Sequence, residues 1–169
     1  MTPTETPAVL LSELHYHPDD ILDEHPEFVE LYNRTEIPID LDSYRLADGV
    51  RFEFPAGTVL APESYLIVAK DPTSRFFRNV VLKLGPYDGE LSNGGETITL
   101  RNGNCVAESI TYDDRPPWPL APDGYRTSLE RVSYLASADD YHTWRSSLDR
   151  GVLGGDRGRF LREVLDPAE

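Results

Sequence analysis

Glu13, His15 and His17 stand at alternate positions of one apolar-rich segment, so on a strand their side chains project from the same face. A carboxylate and two neutral imidazoles are ligands for zinc or another transition metal. Same-face neighbours along a strand are about 6 to 7 Å apart, however, so three of them do not easily converge on one ion at bonds of ~2 Å. A polar outer face with hydrogen-bonded histidines is the better reading. Glu13, Glu27, Glu30, Asp113, Asp123 and Glu130 supply oxygen ligands where strand ends meet loops, and calcium takes six to eight of these. Glu13, Glu30, Asp113 and Asp123 form the candidate calcium set. Against it stand ion pairs with Arg45, Arg126, Arg131 or Arg145, and no contiguous calcium-loop sequence is present. Carboxylate pairs also serve glycoside hydrolysis, but sequence does not set their separation. Trp118, held among prolines and near Tyr112 and Tyr125, could stack on a sugar ring or a proline-rich peptide; the competing reading is a lid folded over one end of the core. There is no nucleophile elbow, phosphate-binding loop or dinucleotide fingerprint.

The composition bounds what these residues can serve. With 30 acidic against 16 basic residues the chain carries a net charge of −14. No run offers the basic face a nucleic-acid binder needs, so nucleic acid is not an expected partner. A single cysteine, Cys105, allows no internal disulfide and no CxxC metal motif. No apolar run approaches the roughly 18 residues of a membrane span. Met1 leads straight into Thr2-Pro3-Thr4-Glu5-Thr6-Pro7, which reads as a polar linker rather than a signal peptide and suggests a piece of a larger protein.

The elements that must position the candidate residues are short strands separated by turns. Alternation predicts strands over residues 9–16, 28–32, 37–41, 44–46, 50–54, 65–69, 80–84, 97–101, 106–112 and 128–134. In the first, Leu10, Leu14 and Tyr16 share a face. Asp48-Gly49 and Asn102-Gly103 are hairpin turns, and Asp71-Pro72-Thr73-Ser74 caps one helical turn. Residues 113–126 form a proline-rich loop. The pattern is that of a sandwich or barrel, with a core drawn from Leu10, Leu14, Val29, Leu31, Leu46, Phe52, Leu66, Val68, Ile98, Leu100, Ile110 and Leu129. Glu30, among apolar neighbours, is expected to be partly buried and paired with an arginine or backbone donors. From Gly151 the chain is glycine-rich, then carries a small apolar stripe that suits either a short helix or a linker.

Several motifs in order carry a resemblance: Glu13 with His17-Pro18, then Glu27-Phe28-Val29-Glu30-Leu31-Tyr32-Asn33, then Leu41, Tyr44 and Leu46, then Phe52 to Thr58. Gly89 through Glu96 follow, and Tyr112-Asp113, Trp118, Asp123-Gly124 and Ser128-Leu129-Glu130 complete the set. Over about residues 8 to 155 the chain resembles the lamin-tail family in its bacterial, exported, multidomain version. The resemblance implies an immunoglobulin-like β-sandwich without a catalytic apparatus. It departs at Arg126, where the family often has glycine, and at Gly151-Val152-Leu153-Gly154, where it often has Gly-Thr-Pro-Gly. Eukaryotic lamins carry this domain behind a coiled-coil rod and nothing in this sequence is a rod, so filament assembly is not carried over.

The expectation is therefore an all-β, immunoglobulin-like sandwich over residues 8–150, with a linker at 1–7 and an extension at 151–169. It would be a non-catalytic structural or binding module, without a required cofactor, monomeric, and extracellular, periplasmic or at the cell surface within a longer protein. It would contact protein or carbohydrate through Trp118, Tyr112 and Tyr125. The alternative is a divalent-metal-binding accessory domain of an enzyme.

Overall fold

The computed structural model describes residues 7–18, 26–124 and 127–147. Tyr125 and the extension at 151–169 lie outside them. The described chain is all-β, with strands β1 (Val9–His15), β2 (Phe28–Asn33), β3 (Ile39–Asp40), β4 (Tyr44–Asp48), β5 (Val50–Glu53), β6 (Val59–Leu60), β7 (Tyr65–Ala69), β8 (Lys83–Leu84), β9 (Asp88–Gly89), β10 (Gly95–Asn102), β11 (Cys105–Asp113), β12 (Leu129–Arg131) and β13 (Trp144–Ser146). Two single 3-10 turns, Arg75–Phe77 and Tyr141–Thr143, are its helical parts. Ser74 caps the first, its hydroxyl accepting from Phe76 N at 3.2 Å.

The strands form a six-stranded sheet in the order β13-β12-β1-β2-β7-β8 and a five-stranded sheet in the order β11-β10-β4-β5-β9, with β3-β6 as a separate pair. All ladders are antiparallel except β7–β8. The two sheets enclose one core that includes Leu14, Val29, Leu31, Leu66 and Val68 from one and Leu46, Ile98, Leu100 and Ile110 from the other. The fold is thus an immunoglobulin-like β-sandwich, in which each inner face presents every second residue.

One bulge changes which residues those are. β1 pairs with β2 as Leu10↔Tyr32 and Leu11↔Leu31, then skips Ser12 and resumes at Glu13↔Glu30. An extra residue shifts the alternation by one. The inner face therefore takes Val9, Leu11, Leu14 and Tyr16, whereas Leu10, expected in the central core, is fully buried but is not part of it. The outer face of the six-stranded sheet is covered as well. Phe28, Ile67, Ala69 and Phe77 make a second apolar cluster there, with Phe76 and Val80 at its edge.

The hairpin at Asp48-Gly49 forms for a different reason than the sequence implies. It is Asp48 that takes positive φ, at 70°, a conformation aspartate tolerates better than most side chains. A Cβ at Gly49 would overlap the Glu96 carboxyl, so a side chain there would displace that carboxyl from Ser92 N. Strand β13 has no sequence counterpart. Trp144, isolated in a polar stretch, is only 4% exposed, and its indole N–H donates to Ala138 O at 2.8 Å.

Candidate functional site

The motif residues of the second strand hold loops to the sandwich. Glu27, just before β2, accepts from the Tyr87 hydroxyl at 2.9 Å and from Leu91 N at 3.0 Å. Glu96 on β10 accepts from Ser92 N at 2.7 Å and lies 3.3 Å from the Tyr112 hydroxyl. Together the two carboxylates hold Tyr87, Leu91 and Ser92 of the segment before β10. Asn33, at the end of β2, is fully buried. Its amide donates to Ile37 O (2.8 Å), Leu60 O (3.0 Å) and Ala61 O (3.0 Å), and its oxygen accepts from Thr35 N and Oγ1. An asparagine suits this position because it both donates and accepts within one planar group.

Glu27 also gives a pH prediction. Burial pushes its carboxyl above the ordinary range, against the pull of Leu91 N, Tyr87 and Lys70. A carboxyl raised in the folded state contributes stability below its unfolded pKa that is lost as pH rises through the folded value. Glu27→Gln keeps an acceptor and removes that dependence. The variant is therefore expected to gain on the wild type between pH 4 and pH 7 in urea titrations. A relative loss over that interval would show that the donors, not burial, dominate.

Across the outer face of the six-stranded sheet runs a row of side chains: Glu13 lies opposite Glu130 on one side and Glu30 on the other, and Glu130 lies opposite Arg145. All three glutamates are buried, at 1%, 7% and 2% exposure for Glu13, Glu130 and Glu30. Ser128 donates to Glu13, the bulged Ser12 donates to Glu30 at 2.9 Å, and Arg145 donates to Glu130 at 3.2 Å. Glu30 is thus buried as expected, with a serine hydroxyl among its donors. Below this row a second charged pair joins the sheets. Arg131 donates to Glu108 Oε1 at 2.7 Å and to Leu11 O at 3.1 Å, while Glu108 Oε2 accepts from Leu11 N at 2.6 Å. The side chain of Glu108, on the edge strand β11, thus reaches the bulged strand β1 of the opposite sheet.

These positions do not bring the four residues of the candidate calcium set together. Glu13 and Glu30 are neighbours in the outer row, whereas Asp123 bridges to His17, four residues beyond Glu13 and on the order of 13 Å along the strand. Asp113 accepts from Arg115 N at 3.0 Å. Among the described residues no three His, Cys, Asp or Glu side chains are grouped to hold a metal ion. The Glu13–His15–His17 stripe is divided in the same way. His15 is fully buried, lies 3.1 Å from Pro26 O through Nδ1 and packs on Phe28 and Phe76. His17 meets Asp123 at 2.5 Å.

The aromatic set is divided too. Tyr112 is 1% exposed, packs on Tyr16 with ring centroids 4.6 Å apart and donates to Ser92 O at 2.7 Å. It is a core residue and offers no face for stacking a ligand, because the alternation of β11 turns it inward with Ile110. Trp118 is half-buried and packs against the core, and its backbone N–H donates to Arg115 O at 3.0 Å. Its neighbours Pro116 and Pro117 are exposed, and Leu120 is 52% exposed. Tyr125 lies outside the described residues.

A strand order of this kind, closed by a glutamate–asparagine motif on β2, agrees with a match to the Lamin Tail Domain family model over residues 2–114, about two thirds of the chain. The chain belongs to the Lamin Tail Domain family. No curated protein and no solved structure was found to match it. The family is one of non-catalytic structural and binding modules. The matched segment ends just after β11, yet β12 and β13 are hydrogen-bonded into the same sheet as β1, so this lamin tail domain is completed by residues beyond the match. Among the described residues no helix is long and apolar enough to cross a membrane.

Proposed function

We propose that this lamin tail domain is a binding module of a longer, exported protein and that it engages a protein partner through the loop 113–124. One observation carries the reading: Trp118 sits half-buried in a loop restrained by Pro116, Pro117, Pro119 and Pro122. Ordering such a loop costs less entropy than ordering an unrestrained one, and sandwich-end loops are where these folds carry recognition. The other motif side chains have internal hydrogen-bond partners, as Glu27, Asn33 and Glu96 do, and so hold the fold rather than a ligand. An extracellular or periplasmic location is part of the same proposal and rests on the resemblance to exported, multidomain versions of the family, and carbohydrate is the other ligand class an indole could stack on.

Trp118→Ala tests the reading. A half-buried indole is expected to contribute about 1 kcal/mol, well below the 3 kcal/mol or more of a fully buried tryptophan. Trp144→Ala, at the buried position, supplies that larger reference. Acrylamide should quench part of the fluorescence of a Trp144→Phe variant, whose emission comes from Trp118. Complete shielding, or a stability loss equal to that at Trp144, would make Trp118 a lid and remove the support for recognition.

A further inference from the structure

We propose that Asn93 is a site of spontaneous modification, converting to aspartate and isoaspartate through attack of the Gly94 nitrogen, and that the isoaspartate form loosens the segment before β10. The chain's other Asn-Gly pair, Asn102-Gly103, is held against the same reaction by Ser43.

The two pairs, at 93–94 and 102–103, are the same dipeptide. It is reactive because glycine has no Cβ to keep its backbone nitrogen away from the preceding side chain. The glycine N–H loses its proton, and the nitrogen forms a bond to the asparagine Cγ. The bond from Cγ to the side-chain nitrogen breaks, and ammonia leaves with a proton. The cyclic imide that results takes up one water. Opening at Cγ gives aspartate. Opening at the main-chain carbonyl gives isoaspartate, whose backbone runs through the side chain. Water enters and ammonia leaves, with no oxidant and no cofactor, so the freedom of the two reacting groups decides which pair converts.

Both pairs are exposed, but only one is tied down. Asn102 ends β10 across from Tyr44. Its Oδ1 accepts from Ser43 Oγ at 2.6 Å, and the Gly103 N–H donates to Ser43 O at 2.8 Å. Gly103 O in turn accepts from Arg45 at 2.8 Å. Nucleophile and electrophile are thus both held by the residue before β4. The N–H bond must open before the nitrogen can lose its proton, and that opening costs free energy.

Asn93 and Gly94 form the tip of a turn whose ends meet through Gly95 N and Ser92 O at 3.4 Å. Among the described residues neither the Asn93 side chain nor the Gly94 N–H has a hydrogen-bond partner, and a Cβ on Gly94 would meet nothing within 4 Å. The points on either side of this tip are fixed. Ser92 N donates to Glu96 at 2.7 Å, and Ser92 O accepts from the Tyr112 hydroxyl at 2.7 Å. Gly95 approaches Tyr112 O so closely that a Cβ there would lie 2.5 Å from it. Isoaspartate adds one main-chain methylene between these points, and the extra length strains the hydrogen bonds of Ser92. Aspartate adds a charge and no length.

The test is incubation of the whole chain at mildly alkaline pH, native and in urea, followed by peptide mapping by mass spectrometry. In urea the two pairs should convert at similar rates, because neither is then held. In the native protein Asn93 should keep most of its rate while Asn102 falls at least tenfold below it. Gly94→Ala, whose Cβ has open space, should suppress conversion at 93 and leave the fold intact. Native conversion of Asn102 as fast as that of Asn93, or no native conversion at either residue, would overturn the assignment. The isoaspartate fraction, separated by chromatography, should unfold at lower urea than an Asn93→Asp variant, which carries the same charge without the methylene. Equal midpoints would overturn the loosening.

Discussion

Replacing Arg131 with methionine is expected to lower the unfolding free energy by about 3–5 kcal/mol, the usual cost of stranding one member of a buried ion pair. The Arg131 side chain is 1% exposed and that of Glu108 7%. The guanidinium also donates to Leu11 O, Ser133 O and Ala136 O and lies over the rings of Tyr134 and Trp144. Its loss therefore leaves a buried carboxylate and three carbonyls to find other donors. Burial already raises the Glu108 carboxyl, with Arg131 and Leu11 N pulling the other way. Without Arg131 it should rise further. A raised carboxyl favours the folded state at low pH and disfavours it as pH passes the folded value, so the variant's deficit should narrow between pH 7 and pH 4.5. A double variant, Glu108→Leu with Arg131→Met, should recover much of the loss, leaving about 1–3 kcal/mol for the Leu11 N–H that Glu108 now satisfies. Urea titrations of the wild type and the two variants check this; a single-variant loss under about 1 kcal/mol would mean that water reaches the pair.

Leu31→Ala should cost about 2–5 kcal/mol by opening a cavity in the middle of the core. Leu31 is 0% exposed and lies between Leu11 on β1 and Leu66 on β7, with strands on both sides to hold the cavity open. Thermal or urea unfolding measures it, and a loss below about half a kcal/mol would place Leu31 away from the centre.

Both predictions involve β1, where reading by sequence and folding in space part company. Alternation puts Leu10, Leu14 and Tyr16 on one face, and for Leu14 and Tyr16 that face is indeed the inner one. Leu10 is on the other side because Ser12 bulges, and nothing in Leu-Leu-Ser-Glu-Leu marks a bulge. The Leu11 N–H beside the bulge is taken by the Glu108 carboxylate, 97 residues away, a partner that no local pattern announces. Trp144 shows the same limit. Its strand has three residues, too few for periodicity to register, and it forms because β12 offers an edge.

By itself the sequence determined the class of the fold, most of the core and the family. Period-two alternation and turn residues are local properties, and the ordered motif around Glu27–Asn33 is specific as a set. It also marked Glu13, Glu27, Glu30, Asn33 and Glu96 as special. Only the tertiary structure decided what their chemistry is for. Carboxylates suited to ligands and carboxylates suited to fixing loops are the same residue type, and the difference lies in which donors come within about 3 Å. For Glu27 these are Tyr87 and Leu91, 60 and 64 residues away, and for Glu108 they are Leu11 and Arg131. Such partners meet only when the two sheets close on each other, so no local pattern could assign Glu27 to a loop and Glu108 to a bulge.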